Sequence, residues 1–271
     1  MITCLEEYVT EIYKILDYWG ISSQTTYPWF RGQSDSKWDL VPRLYRSDCY
    51  ILEREILRDF KINARSYLNR LPQDDFDWLF VMQHYSLLTR LLDWSESHLI
   101  ALYFSTIDYN NECDAAVWIL HPWTLNQNKN ILCQMTVPVT SHPKLNRYLL
   151  GYIHKIGDEN EDSPRIARTI EALYPVAIRP NRDTPRIIAQ KGVFTLHGKD
   201  RTGLNLIVPL IEKDDYYPIK IDKIIICGKS KLKILKQLYL AGINNSVVFP
   251  EIEGIAKEIT FRYSDDYFNQ E

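Results

Sequence analysis

Apolar residues fall at helical spacing at the start of the chain. Leu5, Tyr8, Val9, Ile12, Ile15, Leu16 and Trp19 form one stripe, which predicts an amphipathic helix over 3–19 with Thr3 as its cap and Gly20 as its stop. The aromatic run Tyr27-Pro-Trp-Phe-Arg-Gly-Gln then predicts a short strand and a loop, and Trp38-Asp-Leu-Val-Pro continues in extended form. Between Tyr50 and Leu71 the stripe Leu52, Ile56, Leu57, Phe60, Ala64, Tyr67, Leu68 is again helical. Its acidic residues come early and its arginines late, as the helix dipole favours, and Pro72 ends it. A further helix is expected over Asp74–Gln83.

The stretch 83–105 mixes apolar positions with an unusual number of polar ones. Its first half carries His84, Tyr85, Arg90, Asp93 and Trp94, and its second half reads as a helix beginning near Ser95. Asp93 as N-cap with Glu96 three residues later forms a capping box ahead of Leu99, Ile100, Leu102, Tyr103 and Phe104. Capping accounts for Asp93 and Glu96 without any function. His84, Tyr85 and Arg90 have no such explanation.

Further on, Asp114-Ala-Ala-Val-Trp-Ile-Leu-His is a compact apolar run closed by Pro122 and predicts a buried strand, with a polar connection over Trp123–Asn130. Residues 155–168 are polar and acidic and predict a mobile surface loop. Val176-Ala-Ile-Arg-Pro predicts a strand. Thr184 as N-cap, Pro185 at the first helical position and Gly192 as stop enclose a short helix, followed by a strand Val193-Phe-Thr-Leu-His. The last third predicts a strand from Lys223 to Cys227, a turn at Gly228 and a helix from Ser230 to Leu240 stopped by Gly242. A short strand Ser246-Val-Val-Phe and a final helix after Pro250 complete it. With no internal repeat or linker, these elements predict one α+β (or α/β) domain, a single mixed sheet with helices inserted between and around the strands. The expected division is a helix over 1–24, a main domain over 25–260 with a subdomain edge near 157–163, and a tail over 261–271.

Composition narrows the function classes. The 271 residues are 45% hydrophobic, ample for a buried core, and 32 basic against 35 acidic residues give no overall pull toward nucleic acid or anionic membrane. Five scattered cysteines without a C-x-x-C pair predict a reduced, zinc-free protein. No signal-peptide pattern and no apolar run of spanning length is present, so a cytoplasmic protein without membrane attachment is expected.

Gly228-Lys-Ser sits between a strand and a helix like the end of a phosphate loop, but Lys223 stands where the loop's other glycine is required. A Walker motif is rejected, although the turn's N–H groups remain able to meet an anion. His98, His121 and His154 are isolated, so no metal is expected, and no serine or cysteine sits in a nucleophile motif. The positive features are Arg31 beside Gly32 and Gln33, His84 beside Tyr85, Arg90 three residues before Asp93, and Gln190 ahead of Gly192 and Phe194. Arginine forks suit phosphate or carboxylate, and aromatic rings suit a base or nicotinamide. A buried Arg31–Asp93 or Arg90–Asp93 pair that stitches two segments together is the alternative, and both readings stay open.

These residues also carry a family resemblance. Trp29-Phe-Arg-Gly-Gln-Ser, Gln83-His-Tyr-Ser-Leu-Leu-Thr-Arg-Leu-Leu-Asp-Trp-Ser with Ala101-Leu-Tyr-Phe, Arg186-Ile-Ile-Ala-Gln-Lys-Gly-Val-Phe-Thr and Phe249-Pro-Glu-Ile-Glu-Gly resemble the FRG domain, named for its Phe-Arg-Gly motif, over residues 25–260. The family usually has Gly and Pro where Ser86 and Leu88 stand. It is bacterial and phage-associated, without an established activity. A more distant likeness in layout is to ADP-ribosyltransferases. It implies NAD as ligand and a defence or toxin role, with Arg31, His84 and Gln190 as catalytic residues. Arg31 would hold the NAD phosphate or ribose, Tyr85 or Trp94 would stack on nicotinamide, and Gln190 would stand where such enzymes have a glutamate. Gly32, Gln33, Arg90, Asp93 and Phe194 would complete the ligand site. Two rivals remain: a module that recognises a nucleotide, nucleic acid or protein without turnover, and a metal-dependent nuclease.

Overall fold

The computed structural model describes residues 1–21, 27–127, 137–148, 173–211 and 218–268. Six strands form one sheet: β1 (Trp29–Gln33), β2 (Leu91–Ser95), β3 (Ala115–Leu120), β4 (Val176–Ile178), β5 (Gly192–Leu196) and β6 (Ile221–Ile226), in the order β4-β5-β2-β1-β3-β6. All five ladders are antiparallel, with two isolated parallel bridges at Ile2–Ile226 and Val139–Arg179. The domain is therefore α+β rather than α/β. The acidic 155–168 loop, the edge near 157–163 and His154 lie outside the described residues.

Both faces of the sheet are covered, and the helices divide between them. On one face α1 (Leu5–Tyr18), α4 (His98–Thr106) and α8 (Lys231–Leu240) close over Phe30, Val117, Ile119 and Ile224. Further along, α2 (Glu53–Ala64) and α3 (Asp75–His84) pack on Leu91, Val176, Ile178, Phe194 and Leu196. A third cluster, built from Trp29, Leu92, Trp94, Trp118, Val193 and the helix α7 (Leu204–Ile211), fills the opposite face. Strand β3 is buried at every position, which is why its sequence reads as an unbroken apolar run rather than an alternation.

The largest departure from the sequence reading is at Asp93. It is not a cap: it sits in the middle of β2, and α4 begins three residues after Glu96's neighbour Ser95, with Ser97 as N-cap making no side-chain cap bond. Glu96 is held instead by Arg179 at 2.7 Å and Arg182 at 2.6 Å. The capping box describes which side chains are near a helix start, but here ion pairing with arginines distant in sequence takes Glu96 away from the backbone.

Other corrections are local. Thr3 does not cap α1; its N–H and hydroxyl both donate to Glu7 Oε2, at 2.7 and 2.9 Å. The region expected as a polar connection begins with α5 (Pro122–Gln127), where the Asn126 amide is buried and bonds both Ala177 N and Ala177 O, at 2.7 and 2.9 Å. The stretch expected as the strand 246–249 is the short helix α9 (Asn245–Val248), capped by Asn244, ahead of α10 (Ile252–Arg262). The cap at Thr184 is present, accepting from Ile187 N at 3.2 Å above α6 (Pro185–Ala189). The left-handed residue after that helix is Lys191, at φ 47°, while Gly192 already starts β5.

The Gly228 turn is a packing device. A Cβ there would lie 1.8 Å from Glu112 O, and the Gly228 N–H donates to Asp114 Oδ1 at 2.9 Å, so it is not free for an anion. The neighbouring Lys231 is fully buried and donates to Ser34 O and Asn111 O, both at 2.8 Å. Among the described residues no helix is long and apolar enough to cross a membrane.

Candidate functional site

The sheet is continuous everywhere except between β1 and β2. Five residue pairs join β1 to β3 and five join β2 to β5, but β1 and β2 share a single pair, Phe30 with Ser95. Beyond that pair the strands part. Arg31 fills the opening: its Nη1 donates to the backbone oxygen of Asp93 at 2.7 Å and lies 3.8 Å from Asp93 Oδ2, while its Nε has no partner among the described residues. Gly32 follows because β1 and α4 touch backbone to backbone, and a Cβ at Gly32 would stand 1.9 Å from Ala101 O. The Phe-Arg-Gly sequence thus supplies one core residue, one cation at the gap and one position where no side chain fits.

A cleft of about 330 Å³ opens over this gap, at the lower end of the range of small-molecule sites. Its floor comes from β1 and β2, with Arg31, Gly32, Gln33, Asp93, Trp94 and Ser95. Arg43 and Arg46 approach from the 3₁₀ turn at Arg43–Arg46, Gln83 and Ser86 from the end of α3, Phe104 from α4, and Arg186 and Gln190 from α6 and the residue after it. Four arginines therefore meet one carboxylate. Burial holds the Arg31 guanidinium below its usual pKa; Asp93 opposes that and Arg46 adds to it. Arg46 is likewise lowered by burial and by the charge of Arg43, with Asp93 opposing. These guanidinium groups remain cationic at neutral pH and repel one another, which is the electrostatic signature of a place for an anion.

The sequence candidates separate into two sets. Arg31, Gly32, Gln33, Asp93, Trp94 and Gln190 all line the cleft. Gln33 is held in the wall, its Oε1 accepting from Trp118 Nε1 at 2.7 Å. Trp94 is 3% exposed and donates from Nε1 to Thr195 Oγ1 at 3.1 Å, so its ring belongs to the core more than to an open stacking platform. Gln190 donates from Nε2 to Val248 O at 3.2 Å, so its amide nitrogen is engaged by the protein itself.

The second set lies elsewhere. Arg90 is fully buried and its Nε donates to Glu53 Oε1 at 2.8 Å; it stitches β2 to α2 and does not reach the cleft. Phe194 packs against Phe80 with ring centres 5.0 Å apart, in the core under α3. Tyr85 is exposed and His84 half-buried, the two rings edge to face at 4.9 Å, and neither lines the cleft. Burial lowers the His84 pKa, Arg186 lowers it further and Glu251 opposes, so His84 is neutral at physiological pH.

Several cleft residues escaped the sequence reading. Arg43 and Arg46 sit in a short turn with no periodic pattern, and Trp38, 47% exposed, stands in an irregular segment. Arg186 was hidden in a short helix whose caps explained it; its guanidinium lies 4.8 Å over the Phe249 ring. A usable signal was present at Ser86. Its φ is 61°, the left-handed conformation a glycine adopts freely, and it ends α3 at a position where the resembled family carries glycine. Its carbonyl accepts from Arg43 Nη1 at 3.1 Å, tying that arginine to the cleft.

The family comparison follows the same geometry. Residues 27–114 match the family model of the FRG domain. The FRG match contains β1, the end of α3, β2 and α4, hence Arg31, Gln83, Asp93 and Phe104, and it stops short of the Arg186 and Phe249 motifs. No curated protein and no solved structure matches the chain. Among the described residues no group of three or more His, Cys, Asp or Glu side chains is close enough to hold a metal ion.

Proposed function

We propose that the cleft binds the diphosphate of a nucleotide, NAD foremost, and that the protein is an NAD-handling enzyme acting by ADP-ribosyl transfer or glycohydrolysis. The observation that carries this reading is the convergence of Arg31, Arg43, Arg46 and Arg186 on one cleft whose lining, among the described residues, contains a single carboxylate. Guanidinium forks match phosphate oxygens two at a time, and a diphosphate placed among them relieves their mutual repulsion. Trp38 and Phe104 supply apolar surface beside the charges for a base or nicotinamide. The cleft is small enough that it would hold the diphosphate and adjoining ribose, leaving the rest of a dinucleotide toward solvent. The distant likeness to ADP-ribosyltransferases read from the sequence favours NAD over other nucleotides, and the bacterial and phage setting of FRG proteins favours a cytoplasmic defence or toxin effector.

Titration calorimetry with NAD, ATP and a short RNA, run beside chromatographic assay of nicotinamide, tests this. Saturable NAD binding with nicotinamide release is expected. Arg46→Ala should weaken binding roughly tenfold, the worth of about one charge-assisted hydrogen bond. Binding of RNA or ATP with silence toward NAD would replace this reading by a recognition module.

Gln190 gives an independent check. Because Val248 O requires a donor, glutamine at this position is a structural choice rather than a degraded glutamate. Gln190→Glu should set a carboxylate against that carbonyl and add a second negative charge to the cleft. The expected result is NAD affinity down by roughly tenfold and a stability loss of about 1 kcal/mol in chemical denaturation. Unchanged affinity would show that Gln190 lies outside the ligand's reach.

A further inference from the structure

A site built to hold a diphosphate gains nothing from a negative charge, yet Asp93 stands on the floor of this one. Its side chain is 55% exposed, whereas Leu92 and Trp94 on either side are 2% and 3% exposed. One of its oxygens is fixed. Oδ2 accepts from Gln83 Nε2 at 2.8 Å and lies 3.8 Å from Arg31 Nη1. The Gln83 amide is itself oriented, because its Oε1 accepts from the Thr89 hydroxyl and Nε2 is thereby directed at Asp93. Among the described residues no donor reaches Oδ1.

The contrast with Glu96 is instructive. Glu96 is engaged on both oxygens, Oε1 by Arg179 and Oε2 by Arg182, and its side chain is only 13% exposed; it behaves as a structural ion-pair centre. Asp93 is clamped through one oxygen with the other left bare beside the cleft, and of the four arginines that line it Arg31 alone, among the described residues, forms an ion pair with this carboxylate. A carboxylate held in this way is suited to meet a developing positive charge and to take a proton.

We infer that Asp93 is the catalytic carboxylate of this site and that the substrate it selects is a nucleotide carrying a cationic N-glycosidic bond, oxidised NAD rather than NADH. This rests on the NAD reading above. The C1′–N bond breaks with its electron pair passing to the pyridinium nitrogen, so nicotinamide leaves neutral. The ribosyl cation left behind is stabilised by Asp93 Oδ1. A water oxygen then bonds to C1′, and the proton it loses goes to Oδ1 and on to solvent. The products are ADP-ribose, nicotinamide and one proton. NADH lacks the pyridinium charge that makes its ring a leaving group and is not cleaved.

The test compares wild type, Asp93→Asn, Asp93→Glu and Gln83→Leu, using calorimetry with NAD and NADH, nicotinamide release, and thermal unfolding. Asp93→Asn is expected to bind NAD at least as tightly as wild type, since a charge repelling the phosphates is gone, and to release nicotinamide at least about 100-fold more slowly. Asp93→Glu recovers part of the rate. Gln83→Leu leaves β2 intact and lowers turnover without lowering affinity, so the inference stays testable if Asp93→Asn folds poorly. Turnover by Asp93→Asn within about threefold of wild type overturns the inference while leaving NAD cleavage standing, as does loss of NAD binding in that variant at an unchanged melting temperature. A wild-type protein that neither binds nor cleaves NAD overturns both.

Discussion

Arg90→Met is expected to destabilise the protein by about 3–5 kcal/mol while leaving the ligand affinity of the folded fraction unchanged. Arg90 and Glu53 are both buried, joined at 2.8 Å, and the pair ties β2 to the start of α2. Removing the guanidinium strands a carboxylate in the interior with no counter-charge. The remedy is to remove the charge as well: Arg90→Met combined with Glu53→Leu should regain most of the lost stability, because apolar side chains of similar volume replace a buried ion pair at little cost. Chemical denaturation of the two single variants and the double variant reads the coupling directly. A single variant as stable as wild type would remove the structural role assigned here. A folded Arg90→Met protein with impaired nucleotide binding would return Arg90 to the site.

Arg90 also shows where sequence reasoning reached its limit. It stands three positions before Asp93, and proximity in sequence suggested a shared site or a shared pair. Arg90 stands just before β2 and turns inward to Glu53, whereas Asp93, in the middle of the strand, faces the cleft. Once 91–95 is a strand rather than the approach to a capped helix, the separation follows. The helix itself is present, but its expected cap failed because Asp93 and Glu96 satisfy the local rule for a cap while longer-range partners, Gln83 for one and Arg179 and Arg182 for the other, decide their positions.

What was legible came from strong local pattern: the α1 stripe, the apolar β3, the Thr184 cap and the approximate places of five of the six strands, all but β2. The cleft was half legible. Arg31 and Gly32 announced themselves through an unusual motif, and Gln190 through a short helix next to a strand. Arg43, Arg46 and Arg186 carry no periodicity, and only the folded chain brings segments 31–46, 83–95 and 186–190 to one opening. His84 and Tyr85 drew attention as polar residues in an apolar stretch. Their position at the exposed end of α3 explains them more simply, since the helix turns out to solvent there and Ser86 reverses the chain.

Arg31→Ala should abolish measurable nucleotide binding, with affinity reduced at least about 100-fold in calorimetry. Arg31 lies on the floor of the cleft, 17% exposed, with one nitrogen engaged by the Asp93 backbone and Nε without a partner among the described residues. Two charge-assisted hydrogen bonds to a diphosphate, at about 1.5–3 kcal/mol each, exceed the 2.8 kcal/mol or so that a hundredfold represents. Stability should fall as well, because the guanidinium bridges the opening between β1 and β2, and the Asp93 oxygen loses its donor. Arg31→Lys separates the two effects. An ammonium can still bond the Asp93 carbonyl and hold the strands, but it lacks the planar fork that meets two phosphate oxygens, so the lysine variant should melt near wild type and bind at an intermediate level. Full affinity in either variant would place the anion elsewhere in the cleft, on Arg43, Arg46 and Arg186 alone. Equal loss of binding and stability in both would mean that Arg31 serves the sheet, and that the gap in the ladder is a feature of packing rather than the floor of a site.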